Sequence, residues 1–126
     1  LCLTRPAVAG SSLPLGTLNG SKLGLFCGIA KPDAFLALSR QLGYAPVLTR
    51  FFPDHHAFSR AELGRLCADS RAAEATALLT TEKDAARLAP DLLAGCNLDL
   101  YALAVQLRVS RNEQAFYERL SGLLSA

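Results

Sequence analysis

Short apolar runs alternate with amphipathic segments four times along this chain, and this alternation constrains the fold more than any other feature. The apolar runs begin at residues 22, 46, 76 and 98, and each precedes a segment whose apolar residues have helical spacing. Near-continuous apolar strands connected by helices favour a parallel sheet with helices on both faces. We therefore predict a three-layer (α/β/α) domain with a mainly parallel sheet.

The starts of three predicted helices are marked by a capping residue followed three positions later by an acid. These pairs are Ser59 with Glu62, Thr81 with Asp84, and Ser110 with Glu113. Residues 1–21 are rich in Gly, Ser, Pro and Leu without a period, which predicts a linker or irregular arm. The folded unit is expected to begin near Lys22, so that residues 22–126 form a single α/β domain.

The four cysteines are far apart and include no CxxC pair. Cys27 and Cys67 lie in apolar patterns, which predicts buried free thiols and favours a reducing cytosol. We expect no zinc site, because cysteine ligands usually come in close pairs.

Charge and hydropathy exclude several classes of function. The formal net charge is +2 without a basic block, so we expect no nucleic-acid partner. No stretch approaches the roughly 20 apolar residues of a membrane span, and the amino-terminal residues lack the pattern of a signal peptide. We expect a soluble chain, with peripheral membrane contact left open through a partner or a missing segment.

Residues 16–22, GTLNGSK, look like a phosphate loop but do not satisfy its requirements. Three residues instead of four separate Gly16 from Gly20, Ser and Lys are reversed, and a strand follows instead of a helix. The 126 residues therefore contain no recognisable nucleotide-binding motif.

The stretch PDHH follows the second predicted strand and holds both histidines of the chain. Histidine can hold or pass a proton near neutral pH, and the carboxyl end of a parallel strand is where ligands gather. Asp54, His55 and His56 are therefore candidate functional residues. The alternative is a solvated loop in which Asp54 only supports the turn after Pro53.

Two further stretches lie at the same predicted edge of the sheet. TTEKD, residues 80–84, is either a capped helix start with acids in its first turn or a polar patch for a substrate or an interdomain contact. GIAKP, residues 28–32, is a tight strand-to-helix turn whose helix amino terminus could also attract an anion. If the strands before PDHH and TTEKD are neighbours, these two loops should meet.

Three motifs occur in order over residues 23–88: FCGIAKP, TRFFPDHHAFSRAEL and ALLTTEKDAARL. Together they resemble the carboxyl-terminal half of the tetraacyldisaccharide 4'-kinase, or lipid A 4'-kinase, family. The resemblance implies a Rossmann-like second domain of a P-loop kinase-type fold. It also implies ATP-dependent, Mg2+-requiring phosphorylation of the 4'-hydroxyl of lipid A disaccharide 1-phosphate, at the cytoplasmic face of the inner membrane of Gram-negative bacteria.

The resemblance also implies roles for individual residues. His55 matches the first histidine of the family's DHH motif, which works beside a carboxylate base from the P-loop domain, and Asp54 matches the preceding acid. His56 has no assigned role. A further signature, which implies interdomain or active-site architecture, is matched by Thr81, Glu82, Lys83 and Asp84. ATP and Mg2+ would be bound mainly by the P-loop domain, which these residues do not include. The chain departs from the family at Lys31, where Asn is common.

Two alternatives to a kinase remain. A stand-alone Rossmann-like binding or interaction module would use the sheet edge without catalysis. A DHH-type phosphoesterase would need several upstream aspartates for two metals, but only Asp33 precedes the DHH motif. As part of a kinase, the chain would be an excised domain, a fragment or one part of a split protein, and would be inactive alone.

Overall fold

The computed structural model describes residues 2–6, 12–88, 92, 96 and 98–104. Within these residues, the chain forms five strands, three α-helices and one 3₁₀ helix. In chain order they are β1 (Cys2–Thr4), the 3₁₀ helix (Leu15–Leu18), β2 (Lys22–Cys27), α1 (Pro32–Gln41), β3 (Ala45–Phe51), α2 (Arg60–Ala72), β4 (Ala77–Thr81), α3 (Glu82–Ala85) and β5 (Asp99–Ala104).

The strands form one sheet in the order β1-β5-β4-β2-β3. β2 runs parallel to both β3 and β4, and β4 runs parallel to β5, while β1 pairs antiparallel with β5. The prediction of a mainly parallel sheet is therefore confirmed.

Side chains of β2 alternate between two apolar layers, one on each face of the sheet. Leu23 and Leu25 pack in one layer with Phe35 of α1. Phe26 packs in the other layer with Leu63 of α2. The sheet is thus covered on both faces, and the predicted three-layer Rossmann-like architecture is confirmed.

The amino-terminal residues differ from the predicted irregular arm. Leu3 is fully buried in β1 and exchanges backbone hydrogen bonds of 2.9 and 2.7 Å with Leu13. Leu18 lies in the core, and the Tyr44 hydroxyl donates to the Leu15 carbonyl at 2.8 Å. The described part of this segment therefore belongs to the domain, and the fold does not begin at Lys22. A three-residue strand is too short to show a period, which is why the sequence pattern missed it.

The carboxyl-terminal predictions are only partly covered. The strand predicted from residue 98 is present as β5, whereas the helix predicted after Ser110 lies outside the described residues. No helix in the described ranges has the length and apolar character of a membrane span.

The cysteine predictions are half correct. Cys27 is a buried free thiol, and burial together with the nearby Asp84 carboxylate raises its pKa to about 12. Cys67 is not free, because it forms a disulfide with Cys96. Cys96 packs against the apolar layer that contains Cys67, so Cys67 does not support a reducing compartment.

Candidate active site

Polar residues from three connections meet at the carboxyl-terminal edge of the sheet. We call Gly28, Asp54, His55, Asp84 and Arg87 the strand-end cluster. Gly28 follows β2, the Asp54-His55 pair follows β3, and Asp84 with Arg87 follows β4. This is the edge at which open α/β sheets bind their ligands.

The loop after β3 holds His55 in a left-handed backbone conformation, with φ of 59°. This conformation is uncommon for a residue with a side chain and persists only where neighbours hold it. The His55 amide donates to the Gly28 carbonyl at 3.2 Å, which anchors the loop to the end of β2. The His55 side chain remains 65% exposed, and its Nε2 lies 3.5 Å from Asp54 Oδ2. The loop thus presents an imidazole to solvent on a held backbone.

His56 has a different environment from its neighbour. Its Nε2 lies 2.8 Å from Glu62 Oε2 and 3.0 Å from Oε1, and its ring stacks on Phe52 at a centroid distance of 5.1 Å. Glu62 closes the predicted capping box with Ser59 at the start of α2. The Ser59 amide and then the His56 imidazole lower the pKa of Glu62 from its ordinary value. His56 therefore braces the loop against α2.

Asp84 is a fully buried member of the cluster. Its Oδ2 accepts hydrogen bonds from the Gly28 amide at 3.1 Å and from the Thr81 hydroxyl at 2.7 Å. The same hydroxyl accepts from the Asp84 amide at 3.0 Å, which is the predicted cap of α3. No described residue donates a hydrogen bond to Asp84 Oδ1. Asp84 thus joins the end of β2 to the start of α3.

Arg87 connects the two motif loops directly. Its Nη2 lies 2.8 Å from His55 Nδ1, and its Nη1 lies 3.5 Å from the Gly28 carbonyl and 3.8 Å from Asp84 Oδ1. The strands before the two loops are not neighbours, because β2 lies between β3 and β4. The loops meet nonetheless, across the end of β2.

Gly28 makes this meeting possible because it has no side chain. A Cβ at this position would lie 3.1 Å from the Pro53 carbonyl oxygen, 3.5 Å from Asp84 Oδ1 and 3.5 Å from His56 Cβ. The turn therefore needs a glycine for close approach of the neighbouring loop. At the start of α1, Lys31 is the N-cap residue and its side chain makes no capping hydrogen bond.

The structure brings together only some of the residues singled out from the sequence. Asp54, His55 and Asp84 lie in the cluster, and Thr81 supports it from below. In the described part of the chain, no hydrogen bond or ion pair joins Glu82 or Lys83 to the cluster. The roles of Gly28 as a meeting point and of Arg87 as the link were not predicted. Arg87 lies one helical turn after TTEKD, so its sequence position indicates that it is near this loop but does not identify His55 as its partner.

The residues of the cluster do not fit a magnesium site. In the described ranges, no three His, Cys, Asp or Glu side chains lie close enough together to hold a metal ion. The cluster also offers no phosphate-binding loop. We therefore derive no step through a metal or a nucleotide from these residues.

Comparisons with known proteins point to one family. The family model of tetraacyldisaccharide-1-P 4'-kinase matches residues 4–125. A tetraacyldisaccharide 4'-kinase of Anaeromyxobacter dehalogenans (strain 2CP-1 / ATCC BAA-258) is 37% identical over 111 residues, covering 88% of this chain and 29% of the relative. One from Rhodopseudomonas palustris (strain BisB5) is 43% identical over 105 residues, covering 83% of this chain and 30% of the relative. This chain thus spans about three tenths of the length of these curated relatives. No solved structure gives a significant match.

Proposed function

Because the chain belongs to the tetraacyldisaccharide-1-P 4'-kinase family, we propose that it forms part of an ATP-dependent kinase for the 4'-hydroxyl of lipid A disaccharide 1-phosphate. The relatives carry the kinase name, and the strand-end cluster lies where a sheet of this type binds ligands. The acceptor would be a sugar hydroxyl, and the reaction a phosphoryl transfer.

The presentation of His55 is the observation that carries this proposal. A left-handed backbone, a hydrogen bond to Gly28 and a contact with Arg87 hold a residue whose ring is still 65% exposed. An imidazole that is exposed to solvent and fixed by Gly28 and Arg87 can contact a group from another part of the protein. Positioning is most of what phosphoryl transfer requires from the protein.

In this proposal His55 and Asp54 are the catalytic residues of this chain. His55 would lie beside a carboxylate base of the P-loop half, where it would help to place the attacking hydroxyl. Asp54 Oδ2, 3.5 Å from His55 Nε2, would orient the ring and add negative charge beside it. Thr81 and Asp84 would maintain the architecture beneath them, whereas Glu82, Lys83 and His56 would not touch the reacting groups.

ATP and Mg2+ are assigned to the P-loop half, which we place outside these 126 residues. The chain alone would then be inactive. The site would operate at the cytoplasmic face of the bacterial inner membrane, with membrane contact through the other part of the protein. No partner nucleic acid is part of this proposal, since the net charge of +2 offers little attraction to phosphate backbones.

Reconstitution tests the proposal. The chain is mixed with a separately expressed P-loop half of the kinase, and 4'-phosphorylation of lipid A disaccharide 1-phosphate is measured. We expect turnover only when both parts are present. His55→Asn, which tolerates the left-handed backbone, should lower kcat by about a hundredfold. Arg71→Met, at the far end of α2, is the matched control and should retain full activity.

Three results would contradict the proposal. Turnover by this chain alone would show that it is not an incomplete kinase. Full activity of His55→Asn would remove the role of His55. Failure of two folded parts to phosphorylate the lipid would remove the kinase function itself.

A binding or interaction module without catalysis is the second candidate, and the edge strand β3 favours it. Val47 and Phe51 are each 39% exposed on this strand, so β3 offers an apolar edge that a partner could cover. Such a partner would bind equally well to the His55→Asn variant, and more weakly to a Phe51→Ser variant. Turnover by the reconstituted parts that falls in His55→Asn favours the kinase, whereas partner binding that weakens in Phe51→Ser without any turnover favours the module.

A further inference from the structure

We propose that Arg87 is a positioning residue that sets the tautomer of His55, keeping Nδ1 as a hydrogen-bond acceptor and the ring proton on Nε2. This inference rests on the proposed function only in its last step, in which Nε2–H donates a hydrogen bond to a carboxylate of the P-loop half. The tautomer itself follows from the contacts of Arg87.

The donor and acceptor chemistry of the two side chains decides the direction of their contact. A guanidinium group has five N–H donors and no acceptor. Across the 2.8 Å contact, Arg87 Nη2 must therefore donate and His55 Nδ1 must accept. A neutral imidazole that accepts at Nδ1 carries its proton on Nε2. A ring protonated at both nitrogens would lose this hydrogen bond.

The guanidinium is itself held in place. Arg87 Nη1 reaches the Gly28 carbonyl at 3.5 Å and lies 3.8 Å from Asp84 Oδ1, and the Arg87 side chain is only 25% exposed. Asp84 is in turn bound by the Gly28 amide and the Thr81 hydroxyl. The hydrogen bonds therefore run from the capped start of α3 through Arg87 to His55.

The charged groups near His55 come from two elements. Asp54 belongs to its own loop and faces Nε2, whereas Arg87 and the buried Asp84 approach from the segment after β4. Nδ1 thus faces the cation and Nε2 faces the carboxylate. The distance of 3.5 Å to Asp54 Oδ2 is beyond an ordinary hydrogen bond, so the Nε2–H group can still donate to another acceptor.

This arrangement gives a specific role to His55 in the proposed kinase. With its proton on Nε2, His55 donates a hydrogen bond to a carboxylate that approaches from the P-loop half. It does not take the proton of the attacking hydroxyl, because Nε2 already carries one and Nδ1 accepts from Arg87. His55 would therefore orient the carboxylate base, and Arg87 would act through His55.

The tautomer can be read from the intact 126-residue chain. The chain has only two histidines, so long-range 1H–15N correlation spectra of histidine-labelled protein give two ring patterns. His56→Gln assigns them. We expect His55 to show an unprotonated Nδ1 and a protonated Nε2. The urea-unfolded chain supplies the averaged shifts of a free ring.

Variants of Arg87 test the cause. Arg87→Met should move the His55 Nδ1 shift by about half or more of the way toward the unfolded value, since it removes the donor. Arg87→Lys retains a donor and should stay near the original shift. Arg71→Met should leave the His55 shifts unchanged, and the His56 signals should not change in any of these variants. A protonated Nδ1 in the original chain, or an unchanged His55 in Arg87→Met, would overturn the proposal.

Activity measurements separate this inference from the proposed function. In the reconstituted kinase, Arg87→Met should lower kcat by about tenfold, the value of one hydrogen bond to a charged group, without changing KM for the lipid. If the original chain gives no kinase activity but the expected spectra are observed, the proposed function is wrong and the inference about the tautomer stands. If the original chain is active in the reconstituted kinase but the His55 shifts do not change in Arg87→Met, the inference is wrong and the proposed function stands. If Arg87→Met does not fold, the spectrum of the original chain still decides the tautomer.

Discussion

Adjacent residues in the loop after β3 have opposite environments, although the sequence presents them as a pair. His55 is 65% exposed and contacts Arg87, whereas the His56 side chain is 24% exposed and bound to Glu62. The backbone at His55, between the two side chains, is left-handed with φ of 59°. Residue type and spacing could identify the loop as a candidate site, but they could not distinguish the two histidines, because the difference arises from tertiary contacts with Arg87 in one case and with Glu62 and Phe52 in the other.

Glu62 makes the stability of the domain depend on pH. The Ser59 amide and the His56 imidazole lower its pKa in the folded chain, so the folded state favours the ionised carboxylate. This contribution is fully present above the unfolded pKa and is lost as the pH falls through the folded pKa. Glu62→Gln should therefore unfold more easily at neutral pH and lose less stability on acidification. Urea unfolding at about pH 7 and about pH 3 measures both effects.

Glu74→Gln is the matched control for this prediction. Glu74 pairs with Lys22 at 2.9 Å on the surface, with its side chain 76% exposed, so its removal should change stability little. Equal acid sensitivity of Glu62→Gln and the original chain would contradict the role of Glu62. The capping box was predictable from Ser59 and Glu62, but the added contact with His56 was not, because it depends on the path of the loop.

Between elements, the packing of α2 on the sheet depends on one glycine of β2. A Cβ at Gly24 would overlap the Ser70 hydroxyl and lie 2.9 Å from Leu78 Cδ2. Ser70 and Leu78 are both fully buried, so neither has free space to move into. Gly24→Ala should destabilise the domain by about 1–3 kcal/mol through overpacking.

The same substitution in α2 should have the opposite sign. Gly64 is helical and a Cβ there would meet no atom within 4 Å, so Gly64→Ala should stabilise by about 0.5–1 kcal/mol. Denaturant midpoints of the two variants, compared with the original chain, check the pair. A Gly24→Ala variant as stable as Gly64→Ala would show that α2 does not pack closely on β2.

The order of the strands shows where sequence reasoning ends at this scale. Apolar runs predicted the starts of β2, β3, β4 and β5 to within a residue. β2 and β4 are almost wholly buried, as near-continuous apolar runs indicate, whereas the edge strand β3 alternates between exposed and half-buried residues. They did not predict that β2 lies between β3 and β4. Strand order depends on how the crossovers pack and not on the local pattern. The contact between Arg87 and His55 across Gly28 could therefore not be predicted from the sequence.

Across the whole molecule, contacts between distant parts of the chain were the least predictable. β1 pairs with β5, from the opposite end of the described residues, with Cys2 opposite Ala104 and Thr4 opposite Ala102. The exposed ion pair of Arg5 with Asp99, at 2.8 Å, continues this link. The local sequences of β1 and β5 do not indicate that these strands pair, so the first residues were predicted to be an irregular arm.

The Cys67–Cys96 disulfide is the covalent example of such a contact, and its effect on stability can be predicted. It closes a loop with a sequence separation of 29, for which the chain-entropy model gives about 3–4 kcal/mol. A thiol reductant should therefore lower the free energy of unfolding by that amount. Urea unfolding with and without reductant measures the difference.

Two variants separate the disulfide from other effects of the reductant. Cys67→Ser/Cys96→Ser should resemble the reduced chain and not respond to reductant, because no bond remains to be cleaved. Cys27→Ala should keep the full response, since Cys27 is a buried free thiol. A reductant response that persists in the double variant would contradict a stabilising Cys67–Cys96 bond. The expected pattern would instead show that a covalent link anchors α2 to the segment between α3 and β5, on the sheet face opposite α1.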